Sequence, residues 1–92
     1  MSQPNVTVYS RPICVQCNAT YMALDKAGVE YEVIDLATDA ESLEMVTMEL
    51  GHMQAPVVIV EYADGTAEHW SGFQPGKIEK HITNHTTKEN SP

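Results

Sequence analysis

Pro56 opens the run Val57-Val58-Ile59-Val60, four consecutive apolar residues of which all are β-branched. A half-exposed strand alternates apolar with polar, whereas an unbroken run needs cover on both faces, so this segment predicts a central strand between two layers. Proline is tolerated at the first position of such a strand. The neighbouring segments supply the layers. Val6-Thr7-Val8-Tyr9 reads as a first strand, and Ser10-Arg11-Pro12 ends it. Ala19, Met22, Ala23 and Ala27 then recur at helical spacing up to Gly28, a C-terminal cap. Tyr31 to Leu36 is a second β-rich run. Thr38 or Asp39 can cap a second helix with Leu43, Val46 and Leu50 on one face. Asp64-Gly65 is a hairpin signal that returns Thr66 to Trp70 as an antiparallel edge strand, and Pro75 starts a last helix with Ile78 and Ile82 one turn apart. The predicted order is β-α-β-α-β-β-α, an α/β fold.

The 92 residues suit one domain, 1–92, with 1–5 and about 84–92 as flexible tails. A chain this long does not need a staple to fold, so its two cysteines are free for chemistry. Thirteen acidic residues against five basic give a net charge of -8, which repels nucleic-acid phosphates and anionic membranes. No apolar run approaches the roughly 18 residues of a membrane span, and the start lacks the basic and apolar regions of a signal peptide. The expected compartment is the cytoplasm, and a monomer is the simplest expectation. In that compartment a cysteine pair is more often catalytic or metal-binding than structural.

The pair is Cys14-Val15-Gln16-Cys17, at the junction of the first strand and first helix. Positions i and i+3 on a helix put β-carbons about 5–6 Å apart, close to the roughly 3.5–4.5 Å of a disulfide. A four-residue loop would constrain the unfolded chain by only about 2 kcal/mol, so stapling is a poor explanation. At a helix N-terminus the free backbone amides and the macrodipole favour Cys14 as thiolate, and Arg11 adds positive charge. Cys14 is therefore the expected nucleophile and Cys17 the resolving thiol. Pro12 acts as a turn residue that keeps helix out of the approach to the site.

Three blocks, Cys14-Val15-Gln16-Cys17-Asn18-Ala19-Thr20, Gln54-Ala55-Pro56-Val57-Val58 and Trp70-Ser71-Gly72-Phe73, follow one another in the order found in the NrdH-redoxin branch of the thioredoxin/glutaredoxin family. The chain resembles that branch from about Val6 to Ile82. The resemblance implies a thioredoxin fold, with a four-stranded mixed sheet flanked by three helices, and no bound cofactor beyond a redox-active Cys14–Cys17 disulfide. It implies electrons from thioredoxin reductase and delivery to the large subunit of class Ib ribonucleotide reductase. It also implies a cis bond at Ala55-Pro56 facing the cysteines, with Arg11, Pro12, Val15, Gln16, Ala55 and Pro56 shaping the site. Met53, Trp70, Ser71, Gly72 and Phe73 are the candidate docking residues, with Trp70 and Phe73 reading equally as core aromatics. Family members commonly carry Arg where this chain has Gln74, which puts any charge contact or loop-fixing hydrogen bond of that Arg in question.

Other readings compete. A glutathione-dependent glutaredoxin shares the fold, but commonly has Thr-Val-Pro at the proline loop and a Gly-Gly segment with an acidic residue before the last helix. Cys14-x2-Cys17 with His81-x3-His85 offers zinc-ligand types, yet 63 residues lie between Cys17 and His81 against about 12 in a compact finger. No metal is therefore expected, and His52 and His69 are read as solvent-facing. A non-catalytic interaction domain is a third possibility, since fold alone does not establish activity.

Overall fold

The computed structural model describes residues 4–83. Strand β1 (Asn5–Ser10) leads into helix α1 (Val15–Lys26), strand β2 (Glu32–Asp35) and helix α2 (Ala40–Glu44), which continues as a π-helical stretch over Met45–Glu49. Strands β3 (Val57–Glu61) and β4 (Ala67–Ser71) form the hairpin, and helix α3 (Pro75–Ile78) runs on as a second π-helical stretch, Glu79–Thr83. The sheet order is β2-β1-β3-β4, with β1 parallel to β2 and antiparallel to β3, and β3 antiparallel to β4. The Val57–Val60 run is thus in an interior strand. The expected thioredoxin fold, a mixed four-stranded sheet with three helices, is present.

Side-chain alternation divides the core between the two faces of the sheet. Val6 and Val8 of β1, Val58 and Val60 of β3 and Trp70 of β4 point to one side, where Leu24, Ile78 and Ile82 cover them. Tyr9, Val57 and Ile59 point to the other, under Leu36, Leu43, Met45 and Val46. Val8, Val58 and Trp70 lie side by side across three strands, which keeps the register of the buried row. Asp39 caps α2 by accepting the Ser42 N–H at 3.1 Å. In the hairpin, Asp64 Oδ1 accepts both the backbone N–H and the hydroxyl of Thr66, at 3.0 and 2.7 Å.

Two expectations need correction. Asn5, assigned to a flexible tail, is the first residue of β1 and pairs with Glu61; residues 1–3 and 84–92 lie outside the described residues. Met22 is exposed. The buried stripe of α1 is instead Cys17, Thr20 and Leu24. Thr20 can be buried there because its hydroxyl donates to the Gln16 carbonyl at 2.9 Å, so a polar residue occupies the apolar face without an unsatisfied group.

Candidate active site

Three segments far apart in sequence meet at one end of the sheet. The first is the entry to α1. Cys14 is its N-cap, with extended backbone, and the Cys17 N–H donates to Cys14 Sγ at 3.1 Å while the Asn18 N–H donates to the Cys14 carbonyl at 3.1 Å. An N-cap normally offers oxygen to these orphan amides, and here sulfur takes that place. A backbone N–H aimed at sulfur at the positive end of a helix favours negative charge there, and no acidic residue in the first turn opposes it. Cys14 and Cys17 are joined in a disulfide, with Cα atoms 5.1 Å apart. Their environments differ. Cys14 is half-buried, whereas Cys17 is 1% exposed.

The second segment carries the proline. The Ala55-Pro56 peptide bond is cis, and Pro56 is buried. The third is the turn after β4, where Gly72 has φ +80° and its N–H donates to the Pro56 carbonyl at 2.8 Å. That bond joins the proline segment to the turn. The turn is joined to α1 as well, since the Phe73 N–H donates to Gln16 Oε1 at 2.9 Å. Gln74, standing where relatives commonly have Arg, donates from Nε2 to the Ser71 carbonyl at 2.8 Å. A hydrogen bond within the loop is therefore made here by an uncharged amide.

Ile13 and Val15, which flank Cys14 in sequence, are exposed, as is Met53, three residues before Pro56. Ile13 has φ +53°, an uncommon conformation for a β-branched residue, and was not singled out from the sequence. Its signal was its place between Pro12 and the capping Cys14. Arg11 and Pro12 line an open cleft with Leu36, Ala37 and Leu43. Phe73 and Ser71 are half-buried, and Phe73 packs against the core. Of its two readings Trp70 takes the core one and not the docking one: it is 3% exposed and sits beside Val58, stacked on His81 with ring centroids 5.7 Å apart. Its parity in β4 turns the indole under the helices.

His69 is exposed, as expected, and His52 is half-buried. The two rings also meet edge to face, with His52 Nε2 and His69 Nδ1 2.7 Å apart. This links the approach to the proline segment with β4. His52 is held below its ordinary pKa of 6.5, first by burial and second by the neighbouring ring. Folding thus favours neutral His52, so its contribution to stability is complete above about pH 6.5 and is lost as pH falls through the lowered folded value. Thermal melts should show a larger fall in Tm between about pH 7 and about pH 5 for the parent than for His52→Gln, which cannot titrate. Equal falls would mean the pair does not report on pH.

Among the described residues no group of three or more His, Cys, Asp or Glu is arranged to hold a metal ion. His81 lies in the final helical stretch and His85 outside the described residues. No helix among them is long and apolar enough to cross a membrane.

A capped, half-exposed sulfur bonded to a buried one, beside a cis-proline on a thioredoxin fold, defines a thiol–disulfide oxidoreductase. The sequence profile of the glutaredoxin family matches residues 6–62. The chain is 36% identical over 75 residues to the glutaredoxin-like protein NrdH of Escherichia coli K12, covering 82% of this chain and 85% of that one. It is 33% identical over 84 residues to the gene 56 protein of Mycobacterium phage D29, covering 91% and 89%. The solved structure of NrdH-redoxin from Escherichia coli, described as glutaredoxin-like with a thioredoxin-like activity profile, superposes with a TM-score of 0.72 at 37% identity, covering 83% of this chain and 92% of that one. The chain belongs to the glutaredoxin family, as a member of its NrdH-like branch.

Proposed function

We propose that this chain carries electrons from NADPH, by way of thioredoxin reductase, to the disulfide of a class Ib ribonucleotide reductase large subunit, and that it does so in the cytoplasm. The observation that carries the chemical half is the unequal burial of the two sulfurs. Cys14 is reachable and has a backbone N–H directed at its sulfur, so Cys14 is the attacking thiolate and Cys17 resolves. The Cys14 thiolate attacks one sulfur of the partner disulfide, forming a mixed disulfide and releasing the partner's other sulfur as thiolate. Cys17 gives its proton to solvent and attacks Cys14 Sγ. The Cys14–Cys17 bond forms, the mixed disulfide breaks and the second partner thiolate leaves. The partner has gained two electrons and the chain has lost them.

The choice of electron source rests on likeness to NrdH of Escherichia coli, and on the Gln54-Ala55-Pro56 and Trp70-Ser71-Gly72-Phe73 blocks where glutathione-using relatives differ. Arg11, Pro12, Val15, Gln16, Ala55 and Pro56 shape the site in this reading, and the exposed Met53 joins Ser71, Gly72 and Phe73 at the docking face. The test is an NADPH oxidation assay run in parallel with thioredoxin reductase and with glutathione plus glutathione reductase. Turnover through thioredoxin reductase is expected, followed by support of ribonucleotide reduction when the class Ib enzyme is added. Turnover with glutathione alone would sink this reading in favour of a glutathione-dependent glutaredoxin.

A further inference from the structure

We infer that Gln16 is a positioning residue: its side-chain carbonyl anchors the Gly72–Phe73 backbone beside the disulfide and so sets the shape of the face on which a partner polypeptide lies. The inference deepens the disulfide-reductase reading and rests on it.

Gln16 sits in the first turn of α1, between the two cysteines. An exposed glutamine there gains little from any one neutral hydrogen bond, about 0.5–1.5 kcal/mol net, and loses rotamer freedom in making it. A held bond therefore needs a partner that is already fixed. The Phe73 N–H is such a partner. The Phe73 side chain packs on the core, and the preceding residue is tied to the Pro56 carbonyl at 2.8 Å. The backbone that carries the glutamine is held too, because the main-chain carbonyl of Gln16 accepts the hydroxyl of the fully buried Thr20.

Gly72 completes the arrangement. A β-carbon at that position would stand 3.1 Å from Gln16 Oε1 and 3.1 Å from Gln54 Oε1, so the two glutamine side chains converge on space that only glycine leaves. The backbone N–H of residue 72 is spent on the proline segment and that of residue 73 on Gln16. One turn is thereby held from both sides, and removing Gln16 releases one of them. The sulfurs keep their own geometry, since the bonds to Cys14 Sγ and the Cys14 carbonyl come from the helix backbone. The effect of Gln16 should consequently fall on partner binding more than on the chemical step.

Two readouts test this on the intact chain. In amide hydrogen exchange followed by NMR, Gln16→Ala should lower the protection of the Phe73 N–H about fivefold, as expected for one lost bond of that strength. Gln16→Glu, which keeps a side-chain oxygen acceptor, should restore it. With insulin as the protein disulfide, Gln16→Ala should raise KM about fivefold and leave kcat within about twofold. Unchanged Phe73 protection in Gln16→Ala would overturn the proposal, as would a loss confined to kcat, which would place Gln16 at the thiolate instead. The exchange measurement requires no turnover, so it stays decisive even if the disulfide-reductase reading fails.

Discussion

Cys14→Ser should reduce no disulfide above the uncatalysed background, while Cys17→Ser should stop halfway and accumulate a mixed disulfide with its partner. The asymmetry follows from burial. A partner sulfur can reach half-buried Cys14 but not Cys17, which is 1% exposed under the first turn of α1. Serine at 14 preserves the cap, since its hydroxyl accepts the same backbone N–H, so the chain should still fold. Both variants lose the bridge, whose four-residue loop contributes about 2 kcal/mol on the loop-entropy model, so oxidised parent should melt above them by on the order of 10 °C. Non-reducing gels with a partner disulfide separate the cases. A complex that forms with Cys14→Ser and is absent with Cys17→Ser would exchange the two roles.

Gly72→Val should cost about 2–3 kcal/mol and lower Tm by on the order of 10 °C. Two effects add. The backbone at φ +80° lies where a β-branched residue is strained, and the new β-carbon would begin 3.1 Å from both glutamine oxygens. The glutamines can swing away, but Gln16 does so only by giving up the Phe73 N–H. The reduction of protein disulfides should therefore weaken together with stability. A variant that melts with the parent would show that the turn does not require glycine.

Much of the architecture was legible because it is written in local pattern. The unbroken Val57–Val60 run places β3 inside the sheet, Asp64-Gly65 marks the hairpin, and Pro75 with Ile78 and Ile82 marks the last helix and its buried side. Cys14 at a strand–helix junction is likewise a local feature. What escaped depends on parity or on distance in sequence. Trp70 could be read as a core or a docking aromatic, and only its pairing with Val58 decides for the core. Met22 shares helical spacing with the alanines, yet the real stripe runs through Thr20, whose polarity disguised it. The His52–His69 contact spans 17 positions and the Gln16–Phe73 bond 57, and neither leaves any periodic trace. Gln74 shows a different limit: the departure from the family's usual arginine was visible, but not that its amide would bond the Ser71 carbonyl.

The meeting of three distant segments also has a temporal side. During synthesis from the N-terminus, Cys14 and Cys17 are made more than fifty residues before the turn at Gly72 and Phe73 that borders them. A nascent or truncated chain ending before that turn would carry both cysteines without the backbone that borders them. The thiols and their border therefore come together only once the hairpin and the final helix have closed the fold.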